Sequence, residues 1–78
     1  MANRLIELFS NVLGVELERL NDETSPTNTP AWDSVSSIML ITEIEALFEV
    51  ELSTSDIESM SSLGRARAVL QRLGVHEL

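Results

Sequence analysis

Apolar residues recur every three or four positions in three separate stretches of this chain, and no stretch sustains the alternation of a strand. The first set is Leu5, Leu8, Phe9, Val12 and Leu13, spaced i, i+3, i+4, i+7, i+8. Asn3 is placed to cap its start and Gly14 to end it, which predicts a helix over residues 3 to 13. The second set is Ile38, Ile41, Ile44 and Phe48, expected as the inward stripe, with Leu40 and Leu47 beside it. Asp33 or Ser34 caps this helix, and it is expected to end near Val50, because Leu52-Ser53-Thr54-Ser55 reads as a loop. Thr54 or Ser55 then caps a short turn, Asp56 to Met60, with Ile57 and Met60 facing inward. A last helix starts at Ser61 or Ser62, turns Leu63, Ala66, Val69, Leu70 and Leu73 to the core, and stops at Gly74. The expected class is all-α: a small bundle of three main helices and a short third one, around one core.

With 78 residues the chain has room for one domain, spanning 1–78, and 44% of it is hydrophobic, enough for one modest core. It has no cysteine, which removes disulfides, thiolate metal sites and a cysteine nucleophile. A small domain without such staples points to tight helix packing and a reducing, cytoplasmic setting. No apolar run approaches membrane-spanning length, and Met1-Ala2-Asn3-Arg4 opens an amphipathic pattern and not a signal peptide.

Thirteen Asp and Glu face five arginines, for a net charge of −8. That surplus repels nucleic-acid phosphates and anionic lipid, and it favours protein partners with basic patches. It also serves plain solubility. Its distribution is one-sided: from Asp33 to Glu58 there are seven acids and no base.

Enzymatic readings find little to stand on. The sole histidine, His76, lies near the C-terminus, where a tail frays, and serine catalysis needs an oriented base within hydrogen-bond reach. The carboxylates fall on a small convex bundle without the shielded pocket that would push two pKa values apart. Asp22-Glu23-Thr24 lacks the spacing and central glycine of a calcium loop, and no glycine-rich phosphate loop is present. Residues 14–33 form one long connection; Val15, Leu17 and Leu20 would pack its first part on the bundle, and Thr24-Ser25-Pro26-Thr27-Asn28-Thr29-Pro30 is turn chemistry throughout. A loop of that length in so small a domain has a job or is a linker.

That loop delivers the chain to Trp32-Asp33-Ser34-Val35, at the start of the second helix. A hydroxyl on the first turn is exposed beside unsatisfied backbone N–H groups, where an esterified phosphate would be favoured. Ordinary N-capping asks for the same residues. The wider segment, from Asp33-Ser34-Val35-Ser36-Ser37 through Glu43-Ile44-Glu45-Ala46-Leu47-Phe48, resembles the signature of the acyl carrier proteins, in which an Asp-Ser-Leu motif opens the second helix. The likeness extends through Val50-Glu51-Leu52 to the short third helix, and back to Leu20 and Leu13-Gly14-Val15.

The resemblance implies that Ser34 takes 4'-phosphopantetheine from coenzyme A through a phosphopantetheinyl transferase, with Asp33 as the motif aspartate that helps the transferase engage. Acyl groups would then ride as thioesters on the arm and be presented to acyl-loading and acyl-transferring enzymes by a monomeric carrier that itself catalyses nothing and binds no metal. Fatty-acid, polyketide, peptide, polysaccharide and lipid pathways are all open, as is an aminoacyl or peptidyl cargo. The rival reading is a carrier-like acidic module that is never modified and only binds a partner. Val35 replaces the family's leucine, and Pro30 and Trp32 replace its small residues; the indole is expected to pin the loop. Ser36, Ser37 and Met39 stand where the fatty-acid carriers tend to place acids. Val35 and Met39, one turn apart, together with Glu43 and Glu45, are the expected docking residues.

The acidic segment predicts self-repulsion in the folded state. Raising salt from about 0.05 to about 0.5 M, which shortens the screening length well below 10 Å, should raise the Tm in a thermal melt; a flat or falling Tm would show that the acids are not strained.

Overall fold

In the computed structural model, which describes residues 4–76 and 78, the regular structure of the described residues is all helical and includes no strand. Four α-helices follow in order: α1 (Arg4–Leu13), α2 (Ser34–Phe48), α3 (Thr54–Ser59) and α4 (Leu63–Arg72). A 3₁₀ turn, Leu17–Arg19, interrupts the long loop between α1 and α2. None of these helices is long and apolar enough to cross a membrane.

The core forms where the periodic stripes converge. Leu5, Phe9, Ile44, Leu63 and Leu70 are fully buried, with Leu8, Leu13, Leu20, Leu40, Ala66 and Val69 packed around them. α1 and α2 run antiparallel: Arg4 Nη2, at the start of α1, donates to the Leu47 carbonyl at the end of α2 (3.2 Å), while Phe9 meets Trp32 just ahead of α2. The α2 end carries no basic residue of its own. Arg4, whose guanidinium also lies 5.1 Å from the Phe48 ring centroid, supplies the cation that the helix dipole favours there.

The loop is wound into a defined shape by its short polar side chains. The Asn28 amide oxygen accepts from Ser25 N–H, and its Nδ2 donates to the Glu23 carbonyl (2.8 Å); Thr24 Oγ1 accepts from Asn21 N–H. The loop then docks on α4. Leu63 N–H donates to the Thr24 carbonyl (2.9 Å) and Gly64 N–H to the Asp22 carbonyl (3.0 Å), so loop carbonyls satisfy first-turn donors that helix geometry leaves open. Arg67 adds an ion pair to Asp22. Asp22 and Thr24 therefore act as a helix clasp.

Several boundaries and faces differ from expectation. α2 stops at Phe48 and not near Val50: Glu49 takes the left-handed conformation (φ 54°), and both Glu49 and Val50 N–H turn back to the Glu45 carbonyl. Ile38 does not face inward; it is 66% exposed, and the buried line of α2 is Ser36, Leu40 and Ile44, with Ile41 and Phe48 half-buried beside it. α3 begins at Thr54, because Ser53 is the cap in place of Thr54 or Ser55: its hydroxyl accepts from Asp56 N–H while the Asp56 carboxylate accepts from Ser53 N–H. That reciprocal box buries Asp56, which also receives Arg72 (2.8 Å), and leaves Ile57 37% exposed and Met60 half-buried. Ser62 caps α4, and Leu73, one residue past its end, is 39% exposed and not an inner-face residue. The expected cap Asn3 lies outside the described residues.

Gly64 shows how closely the loop approaches. A Cβ there would sit 2.9 Å from Asp22 Cβ and 3.0 Å from the Asp22 carbonyl oxygen. Alanine would gain about 1 kcal/mol of helix propensity against an overpacking cost of about 1–3 kcal/mol that only backbone movement relieves. Gly64→Ala should therefore lose about 1 kcal/mol and lower Tm by roughly 4–8 °C; a rise in Tm would mean that the loop is not seated on α4.

Candidate functional site

The residues between the loop and α2 are positioned by three interlocked contacts. Trp32 is buried (5% exposed) and packs edge-on against Phe9, with centroids 5.2 Å apart and planes at 72°. Its Nε1–H donates to Ser37 Oγ (2.9 Å), which ties the indole to the first turn of α2 and bears out the expectation that the tryptophan pins the loop. Asp33 is the N-cap: its carboxylate accepts from Ser36 N–H (3.0 Å), and Ser36 Oγ in return accepts from Asp33 N–H (2.9 Å). Ser36 Oγ also donates to the Ala31 carbonyl (2.8 Å).

These contacts separate the three hydroxyls of Ser34, Ser36 and Ser37. Ser36 is buried and its oxygen is fully engaged; Ser37 is half-buried and holds the indole. Ser34, the first residue of α2, is exposed, and among the described residues its side chain makes no hydrogen bond. Of the three, Ser34 alone presents a free primary alcohol, at the positive end of a 15-residue helix. It fits an esterified phosphate group: nothing covers the oxygen, and the helix end offers partial positive charge. The neighbouring Asp33 carboxylate is already committed to the Ser36 amide, and that hydrogen bond holds its pKa below the ordinary 3.8.

On the Ser34 side of α2 lies a cavity of about 170 Å³ against α3, lined by Ser37, Leu40, Ile41, Ile57 and Met60, with Phe9 and Trp32 closing it. Ser34 and Ile41, seven residues apart, share this flank.

The expected docking residues divide. Val35 is 67% and Met39 49% exposed, and Glu43 is exposed on the same helix. Glu45 is half-buried and serves the chain itself: its Oε2 accepts from Leu52 N–H (2.9 Å), securing the exit from α2. Met39 and Glu43 instead meet Leu47, Glu7, Leu8 and Val12 at a groove of about 440 Å³ between α1 and α2. Leu47 and the α1 residues were not anticipated as surface features; the i, i+4, i+8 spacing of Met39, Glu43 and Leu47 was the signal available for α2.

Comparison with known proteins places this geometry in context. A family model described as a phosphopantetheine attachment site matches residues 3–70. An acyl carrier protein of Syntrophobacter fumaroxidans (strain DSM 10017 / MPOB) is 27% identical over 63 residues, which cover 81% of this chain and 78% of the relative.

The different duties of the hydroxyls have measurable consequences. Ser36→Ala removes half of the capping box and the bond to Ala31, and should cost about 1–2 kcal/mol in a denaturant melt; Ser34→Ala should stay within about 0.5 kcal/mol, as for a plain surface site. Because the Asp33 pKa is lowered on folding, its cap is fully present above the unfolded value of 3.8 and fades as pH falls through the depressed one. Asp33→Asn should accordingly flatten the acid limb of the stability curve, and an unchanged limb would show that the cap does not titrate.

Proposed function

We infer the function from one premise: the chain belongs to the phosphopantetheine attachment-site family, and it is a carrier protein of that type. The reading is that Ser34 is the attachment residue and that the protein holds acyl groups on the arm and presents them to partner enzymes. What supports this choice of residue is the single observation that Ser34 has an exposed hydroxyl without a partner among the described residues, while Ser36 and Ser37 are spent on holding the fold.

In the attachment step Ser34 Oγ attacks the phosphorus of coenzyme A that bears pantetheine. One P–O bond forms, the pyrophosphate P–O bond breaks, adenosine bisphosphate leaves, and the hydroxyl proton passes to a base of the transferase. The bound group supplies a thiol for thioester linkage, in a chain that has no cysteine of its own. The chain's own part is geometric. Trp32 and the Asp33–Ser36 box hold the loop off the hydroxyl, and the rigid start of α2 keeps Ser34 facing outward. The setting we assign is the cytoplasm, with a phosphopantetheinyl transferase and acyl-loading and acyl-transferring enzymes as partners; the acidic α2 and α3 suit basic patches on them.

Incubation with coenzyme A and a promiscuous transferase should add one phosphopantetheine to the wild type and none to Ser34→Ala, read by intact-protein mass. An unchanged wild-type mass, under conditions that convert a control carrier, would leave the unmodified interaction module as the correct reading. Modification mapped to Ser36 or Ser37 would overturn the residue alone.

A further inference from the structure

The two flanks of α2 are set apart by helix geometry. At about 100° per residue, Met39, Glu43 and Leu47 fall roughly 140–220° round the helix from Ser34. They form a stripe on the side away from the modification flank. This stripe does not close against α1. Met39 and Leu47 remain 49% and 40% exposed over the groove of about 440 Å³, whose other wall is Leu8 and Val12 and whose rim carries Glu7 and Glu43. Arg4 stands at one end, engaged with the Leu47 carbonyl and the Phe48 ring. Two long apolar side chains left half in water beside a groove mark a contact surface.

Charge decides what covers it. A second copy would bring another −8 and the same acidic rim, so self-association is opposed. A basic surface is attracted. Met39 and Leu47 are eight residues apart, about 12 Å along the axis, which matches two apolar anchors about two turns apart on a helix laid between α1 and α2.

The geometry points to the α1–α2 groove as the seat of a basic amphipathic helix from a partner protein. Apolar anchors of that helix fill the space over Leu8, Val12, Met39 and Leu47, and its flanking Lys or Arg meet Glu7 and Glu43. The partner grips α2 on one flank and leaves Ser34 clear on the other. This surface rests on the groove and its charges and stands whether or not Ser34 is modified.

The probe is a synthetic helical peptide with leucines two turns apart flanked by lysines, with a scrambled peptide of the same composition as control. Titrated into the ¹⁵N-labelled protein, it should shift the amides of Leu8, Val12, Met39, Glu43 and Leu47 first. Leu47→Asp and Glu43→Arg should each weaken it, Leu47→Asp about tenfold, while Leu73→Asp, the same change on an apolar residue outside the groove, should not. Glu43→Arg alters an exposed position and keeps the test valid should Leu47→Asp unfold. Shifts centred on Ile38 and Ile57, equal binding of the scrambled peptide at the same residues, or concentration-dependent shifts of Met39 and Leu47 without peptide would each overturn the proposal, the last by showing a second copy in the groove.

Discussion

Everything at the business end of this protein depends on where the indole of Trp32 goes. An aromatic side chain buried immediately before a helix fixes the direction in which the chain enters it, and here the ring is held twice, by Phe9 of α1 and by Ser37 of α2. The chain cannot shift by one residue at this point without pulling the indole from between the helices and breaking the Asp33–Ser36 box. Between residues 31 and 37 nearly every group has a partner: the Ala31 carbonyl, the Trp32 N–H and ring, both ends of Asp33, Ser36 and Ser37. Ser34 is the exception, and its freedom is a product of its neighbours' confinement.

Charge is arranged on the same principle. Three of the five arginines act as clips between segments: Arg4 joins α1 to the end of α2, Arg67 joins α4 to the loop at Asp22, and Arg72 joins α4 to Asp56 at the α3 cap. Asp56 is held below its ordinary pKa first by the Ser53 backbone amide, then by the Ser53 hydroxyl and, opposed by desolvation, by Arg72. Exposed ion pairs are worth little individually, so the clips matter as placement more than as energy. They gather positive charge on α4 and the start of α1, and leave the acids of α2 largely uncompensated.

The sequence made α1 and α4 legible because each has one apolar stripe and a polar remainder. α2 defeated the same logic. Val35, Ile38, Met39, Leu40, Ile41, Ile44 and Leu47 run almost all the way round it, so periodicity offers several candidate stripes and cannot choose. Ile38 was assigned inward for that reason, while the polar Ser36 was buried to serve a cap. The α3 start was only half readable: Ser53 is followed at three residues by Asp56 and Ser55 by Glu58, so two serines fit a capping box and the pattern rules out Thr54 alone. The left-handed turn at Glu49 was not, since glutamate gives no local signal for positive φ and is held there by two hydrogen bonds to the Glu45 carbonyl. Ser34 itself was legible as a helix start, but its freedom relative to Ser36 and Ser37 emerges only from the packing of Trp32.

The surplus of apolar residues on α2 then acquires a physical sense. A helix of a small bundle needs one buried face to be stable, and Leu40 and Ile44 with their half-buried neighbours supply it. The additional apolar side chains leave much of their surface in water. Met39 and Leu47 line the groove against α1, while Val35 and Ile38 stand exposed near the start of the helix. A single fifteen-residue helix therefore presents three distinct faces, with the core-facing line holding the exposed Ser34 flank and the groove flank at fixed angles to one another. The hydroxyl at the first turn and the groove on the far flank are built from different side chains, so a change at one leaves the other intact.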